Sequence, residues 1–170
     1  MKQHSSQKNE ALLKACLVLP TYNEAENIES ITKAIFAMQS NIDTHQLYVI
    51  VVDDNSPDGT QEIVKKQIQQ PPYLRLVTGN KVGLGDAYKR GISFAMSTFK
   101  PDLLLQMDAD GQHDPTLIPK FINLANDGFS LVIGSRYVPG GSTPDFSYWR
   151  KFLSIAGNFL IRHLGKASNV

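Results

Sequence analysis

At 170 residues with 42% hydrophobic content, the chain suits one globular domain with a substantial core. A net charge of +1 argues against a general nucleic-acid binder, and a lone cysteine, Cys16, excludes an internal disulfide framework and fits a reducing compartment. No run approaches the roughly 18 apolar residues of a membrane-spanning helix, so any membrane contact is expected to be peripheral or to come from sequence beyond these 170 residues.

The opening stretch MKQHSSQKNEALLK is polar and lacks the apolar segment of a signal peptide, so residues 1–14 read as a flexible arm. ACLVLP, residues 15–20, is a short apolar run expected to form a buried strand, with Cys16 as packed core. TYNEAEN then turns the chain, with Asn23 or Glu24 placed to start a helix to about Gln39. Ile28, Ile31, Ile35 and Met38 recur at helical spacing and give that helix an inward face. The design repeats in LYVIVVDDNSPDGT: Leu47 to Val52 reads as a strand closed by Asp53 and Asp54, and Ser56 to Gly59 turn into a helix through Gln69. YLRLVT, residues 73–78, is a third, weaker strand. Gly83 and Gly85 precede a helix running towards Phe99, at whose start backbone amides can approach a phosphate or sugar.

LLLQMDADGQHDP, residues 103–115, reads as a strand buried on both faces that ends abruptly in Asp108, Ala109 and Asp110. Two carboxylates with Gln112 beside them make an all-oxygen set suited to Mg2+ or Mn2+, and the C-terminal edge of a parallel sheet is where ligands bind. A solvated acidic turn capping the next helix is the plainer alternative. Pro115 and Pro119 mark that helix, expected to reach about Ala125, and SLVIGSRY supplies a fifth strand ending at Gly134. An amphipathic helix from about Phe146 to Leu164 closes the chain, with Arg150, Ser154, Asn158 and Arg162 recurring on one face. From Arg136 onward five basic residues face a single acid, Asp145; such a field suits a phosphate or an anionic surface as well as a solvated face. Alternating strands and helices predict an α/β fold, a mostly parallel sheet with helices on both faces.

With these stretches in order, the chain resembles the GT-A inverting glycosyltransferases, and within them the dolichol-phosphate (polyprenol-phosphate) mannose synthase group. The matching stretches are LPTYNE at 19–24, VVDDNSPDGT at 51–60, GLGDAY at 83–88, MDADGQHDP at 107–115, GSRYVPGG at 134–141, and Trp149, Arg150, Ser154 and Asn158. The resemblance implies a GT-A domain over residues 15–170, with its acceptor-side part incomplete because members of the group continue beyond the point matching Val170. It implies that Pro20, Tyr22, Glu24, Asp53, Asp54, Lys81, Asp108, Ala109 and Asp110 line the nucleotide-sugar pocket, with Asp53 or Asp54 on the base or ribose. Asp108, Asp110 and Gln112 would hold Mg2+ or Mn2+ on the donor diphosphate. Arg136, Arg150 and Ser154 would bind the acceptor phosphate and, with Asp110, make up the catalytic set. Tyr22 also reads as packing, and Glu24 as an acid favoured by the helix dipole. Gly111 departs from the pattern by replacing a larger apolar residue.

The implied reaction moves mannose from GDP-mannose to a polyprenol phosphate, with inversion, at the cytoplasmic face of a membrane. A phosphate acceptor, with a second pKa near ~6, is largely dianionic at neutral pH and needs no base; a sugar hydroxyl would need one, and Asp114 is the first candidate. A UDP-sugar such as UDP-glucose as donor, and a nucleotide-sugar-binding module without turnover, are the alternatives. A phospho-receiver reading of VVDDN lacks its acceptor aspartate in YLRLVTGN. Oligomeric state is not indicated by the sequence.

Overall fold

The computed structural model describes residues 11–68 and 73–135. Every element below belongs to one compact unit that ends at Val132. Four strands, β1 (Leu13–Thr21), β2 (His45–Asp53), β3 (Leu74–Thr78) and β4 (Leu103–Gln106), alternate with α1 (Ile28–Ala37), α2 (Thr60–Gln67), α3 (Leu84–Thr98) and α4 (Ile118–Asn126). The strands pair in the order β3-β2-β1-β4, all parallel.

β1 shows why the sheet takes helices on both faces. Its side chains alternate, as a period of two requires: Ala15, Leu17 and Leu19 enter one core with Leu47, Val49 and Val51 of β2, against Ile28, Ile31 and Ile35 of α1, Val64 of α2, and Ile118 and Ile122 of α4. Cys16 and Val18 enter the other with Ile50, Val52 and the α3 residues Ala87 and Ala95. Each fully buried Leu, Ile or Val contributes about 1.5–3 kcal/mol, and most of them lie on β1 and β2. Cys16 is packed core, as expected, and burial pushes its thiol up to about 11.

α3 lies unusually close to the sheet. A Cβ on Gly91 would come within 2.4 Å of Val18 Cγ1 and 2.7 Å of Val52 Cγ2, so only glycine permits this approach. The chain steps outward from β1 to β2 to β3, and α3 then carries it back over the opposite face to β4 beside β1. The strand order therefore reverses between β1 and β4, and open α/β sheets form their ligand crevice outside the C-terminal strand ends at such a switch point.

The alternating parallel fold agrees with the sequence reading, while several bounds differ. β1 begins at Leu13, inside the expected arm, because Lys14 N–H donates to Asp102 Oδ2 at 2.8 Å and Leu13 N–H to Thr44 O at 3.0 Å. α1 begins at Ile28 rather than Asn23 or Glu24; the amides of Asn23, Glu24 and Ala25 are taken by side chains of the β2–α2 loop. β4 pairs only with β1 among the described residues, so Leu103 and Leu104 are half-buried and the strand is an edge strand rather than one buried on both faces. The expected fifth strand does not form over residues 129–135; Leu131 stays 76% exposed, since an apolar alternation without ladder partners gains no burial. The expected final helix lies outside the described residues.

Candidate functional site

All four strands deliver their C-terminal ends to one edge. β1 leads into Tyr22 to Glu24, β2 ends at Asp53 and Asp54, β3 leads to Lys81, and β4 leads to Asp108 to Asp110. The expected donor-side residues are thereby gathered on one side of the sheet, around the order reversal. Arg136, Arg150 and Ser154 lie outside the described residues.

Asp53 is fully buried and its carboxylate is fully engaged. Its Oδ1 accepts from Ser56 N–H at 2.9 Å and Gln61 Nε2 at 2.7 Å, and its Oδ2 from Thr21 Oγ1 at 3.0 Å and Ser56 Oγ at 2.5 Å. Four donors compensate a charge that would otherwise be costly to bury. This carboxylate organises the loops after β1 and β2 from within. The same loops are stitched from the other side, where Asn23 N–H donates to Ser56 Oγ and Glu24 N–H to Thr60 Oγ1, both at 3.0 Å, and Ala25 N–H to Asp58 Oδ2 at 2.9 Å. Bonds from the Thr60 hydroxyl and from the Ala25 and Thr60 amides hold the Asp58 carboxyl below the usual carboxylate range. Asn23 and Asn55 both adopt left-handed φ values, 60° and 55°, which asparagine tolerates better than most residues.

Asp54 is also buried, and it is paired with Arg90 of α3, which bridges it to Asp86 on the same helix. On the other flank of α3, Tyr88 Oη donates to Asp108 Oδ1 at 2.8 Å. Burial, and then the negative charge of Asp108, push the Tyr88 phenol well above its ordinary value, so it is held as a donor. Asp108 N–H donates to His113 Nδ1 at 3.1 Å, and His113 Nε2 lies 3.8 Å from Asp108 Oδ2.

Asp110 is exposed, and its Oδ1 accepts from Gln112 N–H at 2.9 Å. Ala109, between the two carboxylates, turns its methyl group into the first core, so any ligand contact it makes runs through its backbone. Gly111 sits at φ +75°, a left-handed conformation that strains a larger residue, which accounts for glycine at that position. Gln112 is exposed. Among the described residues no three His, Cys, Asp or Glu side chains converge as a metal cage. Asp114 caps the short 3-10 turn Pro115–Leu117 by accepting from Thr116 N–H.

Pro20 is buried at the end of β1, and Glu24 is half-buried beside Thr60. Lys81 Nζ stands 3.3 Å from the centre of the Tyr22 ring, a cation–π contact joining two expected pocket residues from separate loops. Sequence reasoning assigned no role to Tyr88, Arg90, Asp86 or His113. The signal for the first two was available: Ala87, Gly91 and Ala95 make a small-residue stripe at helical spacing, and Tyr88 and Arg90 flank it.

A parallel α/β sheet that gathers carboxylates and a lysine–aromatic pair around a strand-order reversal has the architecture of the open α/β domains that bind ligands at the carboxyl ends of their strands. Residues 16–167 match the model of glycosyl transferase family 2, and the chain belongs to that family. It is 35% identical over 142 residues to a dolichol-phosphate mannosyltransferase of Pyrococcus furiosus, covering 84% of this chain and 38% of that protein. To a polyprenol monophosphomannose synthase of Mycolicibacterium smegmatis it is 34% identical over 150 residues, covering 87% of this chain and 54% of that protein. The chain thus spans about half the length of these curated relatives, or less. A solved mannosyltransferase from Pyrobaculum calidifontis, in complex with GDP-Man and Mn2+, is 27% identical, with a TM-score of 0.46 over 59% of this chain and 28% of that one.

Proposed function

We propose that this chain forms the donor-binding part of a glycosyltransferase that moves mannose from GDP-mannose onto a polyprenol phosphate, by single displacement with inversion. The observation that carries this reading is identity of 34–35% with polyprenol- and dolichol-phosphate mannosyltransferases across more than four-fifths of this chain. The gathering of Asp54, Asp108 and Asp110 beyond the C-terminal ends of β2 and β4 supports it.

A divalent cation, Mg2+ or Mn2+, fits the donor set. Asp108 and Asp110 bring hard oxygen ligands, with Gln112 alongside, and without a third carboxylate the set is one that substrate phosphates complete, as is usual for Mg2+. When bound, the ion supplies Lewis-acid neutralisation of charge on the departing diphosphate. Asp54 lies on the nucleoside side of the crevice, and Tyr22 and Lys81 close its β1–β3 side. Asp53 serves from within by fixing the loops that carry Asp54 and Tyr22. Arg136 and Arg150 offset the repulsion between the two anionic substrates and aim the attacking phosphate oxygen, and Ser154 adds a hydrogen bond. No base is required, because the acceptor is already ionised.

A lipid acceptor would be met at a membrane surface, and the reaction is assigned to its cytoplasmic face with the protein bound peripherally. No helix among the described residues is long and apolar enough to cross a bilayer. Calorimetric titration of the chain with GDP and with UDP, each with and without Mn2+, tests the donor assignment. GDP-selective binding that Mn2+ strengthens and Asp110→Ala abolishes is expected; preference for UDP would move the donor to a UDP-sugar and overturn the mannose reading.

A further inference from the structure

Helix α3 touches carboxylates on both sides of the crevice. At roughly 100° per residue, Ala87 and Gly91 lie within about 40° of each other and face the sheet, while Tyr88 and Arg90 project about 80° to either side of that stripe. Gly91 seats the helix directly on Val18 and Val52, which fixes the height of both flanking side chains. Tyr88 then reaches Asp108 beyond β4, and Arg90 reaches Asp54 at the end of β2.

We infer that α3 is a two-sided positioning element of the donor site, in which the Tyr88 hydroxyl aims the Asp108 carboxylate and the Arg90 guanidinium independently aims Asp54. This rests on the donor-site reading above and adds to it two residues that need not touch the donor. The chemistry of each contact is particular. By occupying Asp108 Oδ1, Tyr88 holds that carboxylate in one plane and would leave Oδ2, which His113 Nε2 approaches to 3.8 Å, as the oxygen offered to a cation. Arg90, held at its other end by Asp86, pairs with the buried Asp54 and holds its carboxylate in one orientation; a lysine cannot reproduce the bridging fork. Because the two contacts leave opposite flanks of one rigid helix, each can be removed without disturbing the other.

The test uses the whole chain and measures two quantities calorimetrically: GDP affinity in EDTA, and the factor by which saturating Mn2+ improves it. Tyr88→Phe keeps the ring and deletes only the hydroxyl. It is expected to leave metal-free GDP affinity within about twofold and to shrink the Mn2+ factor on the order of tenfold, the scale seen for groups that orient metal ligands. Arg90→Lys is expected to do the reverse, lowering metal-free affinity about tenfold while keeping the Mn2+ factor. A helix with a merely structural role would move both quantities together in both variants, and that result overturns the inference. So does a Tyr88→Phe variant with the wild-type Mn2+ factor, or an Arg90→Lys variant with wild-type metal-free affinity. A wild-type chain whose GDP binding Mn2+ does not strengthen would instead overturn the donor-site reading itself, and the inference with it, before any variant is made.

Discussion

Asp53 offers the most direct separation of a ligand contact from a loop anchor. Its four accepted bonds, at 2.5–3.0 Å, join Thr21 at the end of β1 to Ser56 and Gln61 after β2. In Asp53→Asn the remaining oxygen can still face Ser56 N–H and Gln61 Nε2, which cannot reverse polarity. The new amide group faces the Thr21 and Ser56 hydroxyls, which can turn to accept. Bonds to a charge are worth about 1 kcal/mol more than neutral ones, and relief of the buried charge offsets part of that loss over four bonds, leaving a net cost of about 2 kcal/mol. Asp53→Ala strands the two N–H donors at about 1–3 kcal/mol each, a cost of about 4 kcal/mol. With a urea slope of about 2 kcal/mol/M, the midpoints should fall by about 1 M and 2 M respectively. An Asp53→Asn variant with an unchanged midpoint that no longer bound GDP would refute the anchor assignment and return this carboxylate to the ligand.

Gly91→Ala would place a methyl 2.4–2.7 Å from two buried valines, and overpacking of this kind costs about 1–3 kcal/mol; a urea midpoint equal to wild type would show that α3 has room to lift. His45 is buried at 3% exposure, and burial holds its imidazole below the ordinary value of 6.5. The unfolded chain therefore binds the extra proton first, so stability is full above about pH 6.5 and falls as pH drops towards the lower folded value, with a slope of at most about 1.4 kcal/mol per pH unit. Urea midpoints between pH 7.5 and 5.5 should show this decline in wild type and lose it in His45→Gln; the same slope in both would assign it to another group.

The gathering of carboxylates at one sheet edge was legible because it depends on local signals: apolar runs that stop at Asp53 and Asp108, separated by helical periodicity. What escaped was set by distant partners. The late start of α1 follows from amides claimed by Ser56, Asp58 and Thr60, more than 30 residues away. Asp53 and Asp54 are adjacent and chemically identical in the sequence, yet one is turned inward onto four donors and the other onto Arg90. The composition of LLLQ suggests burial on both faces, but burial depends on neighbours, and among the described residues β4 has one. Gly111 stood out only as a departure from the family pattern, while its φ of +75° gives it a specific geometric reason.

The strand order also carries a consequence for how the chain is made. β1 finds its first partner in β2, but Ala15 pairs on its other side with Leu103, and the Lys14–Asp102 bond that closes this pairing spans 88 residues. At about 5–20 residues per second, a ribosome takes roughly 4 to 18 s to deliver β4 after β1 has emerged. Throughout that interval one edge of the apolar segment LKACLVLPT stands without its hydrogen-bonding partner, an open template for pairing with another chain. The order reversal that creates the crevice therefore exposes the nascent chain to aggregation, and a chaperone that masks β1 until residue 106 has emerged would be expected to raise the yield of folded protein.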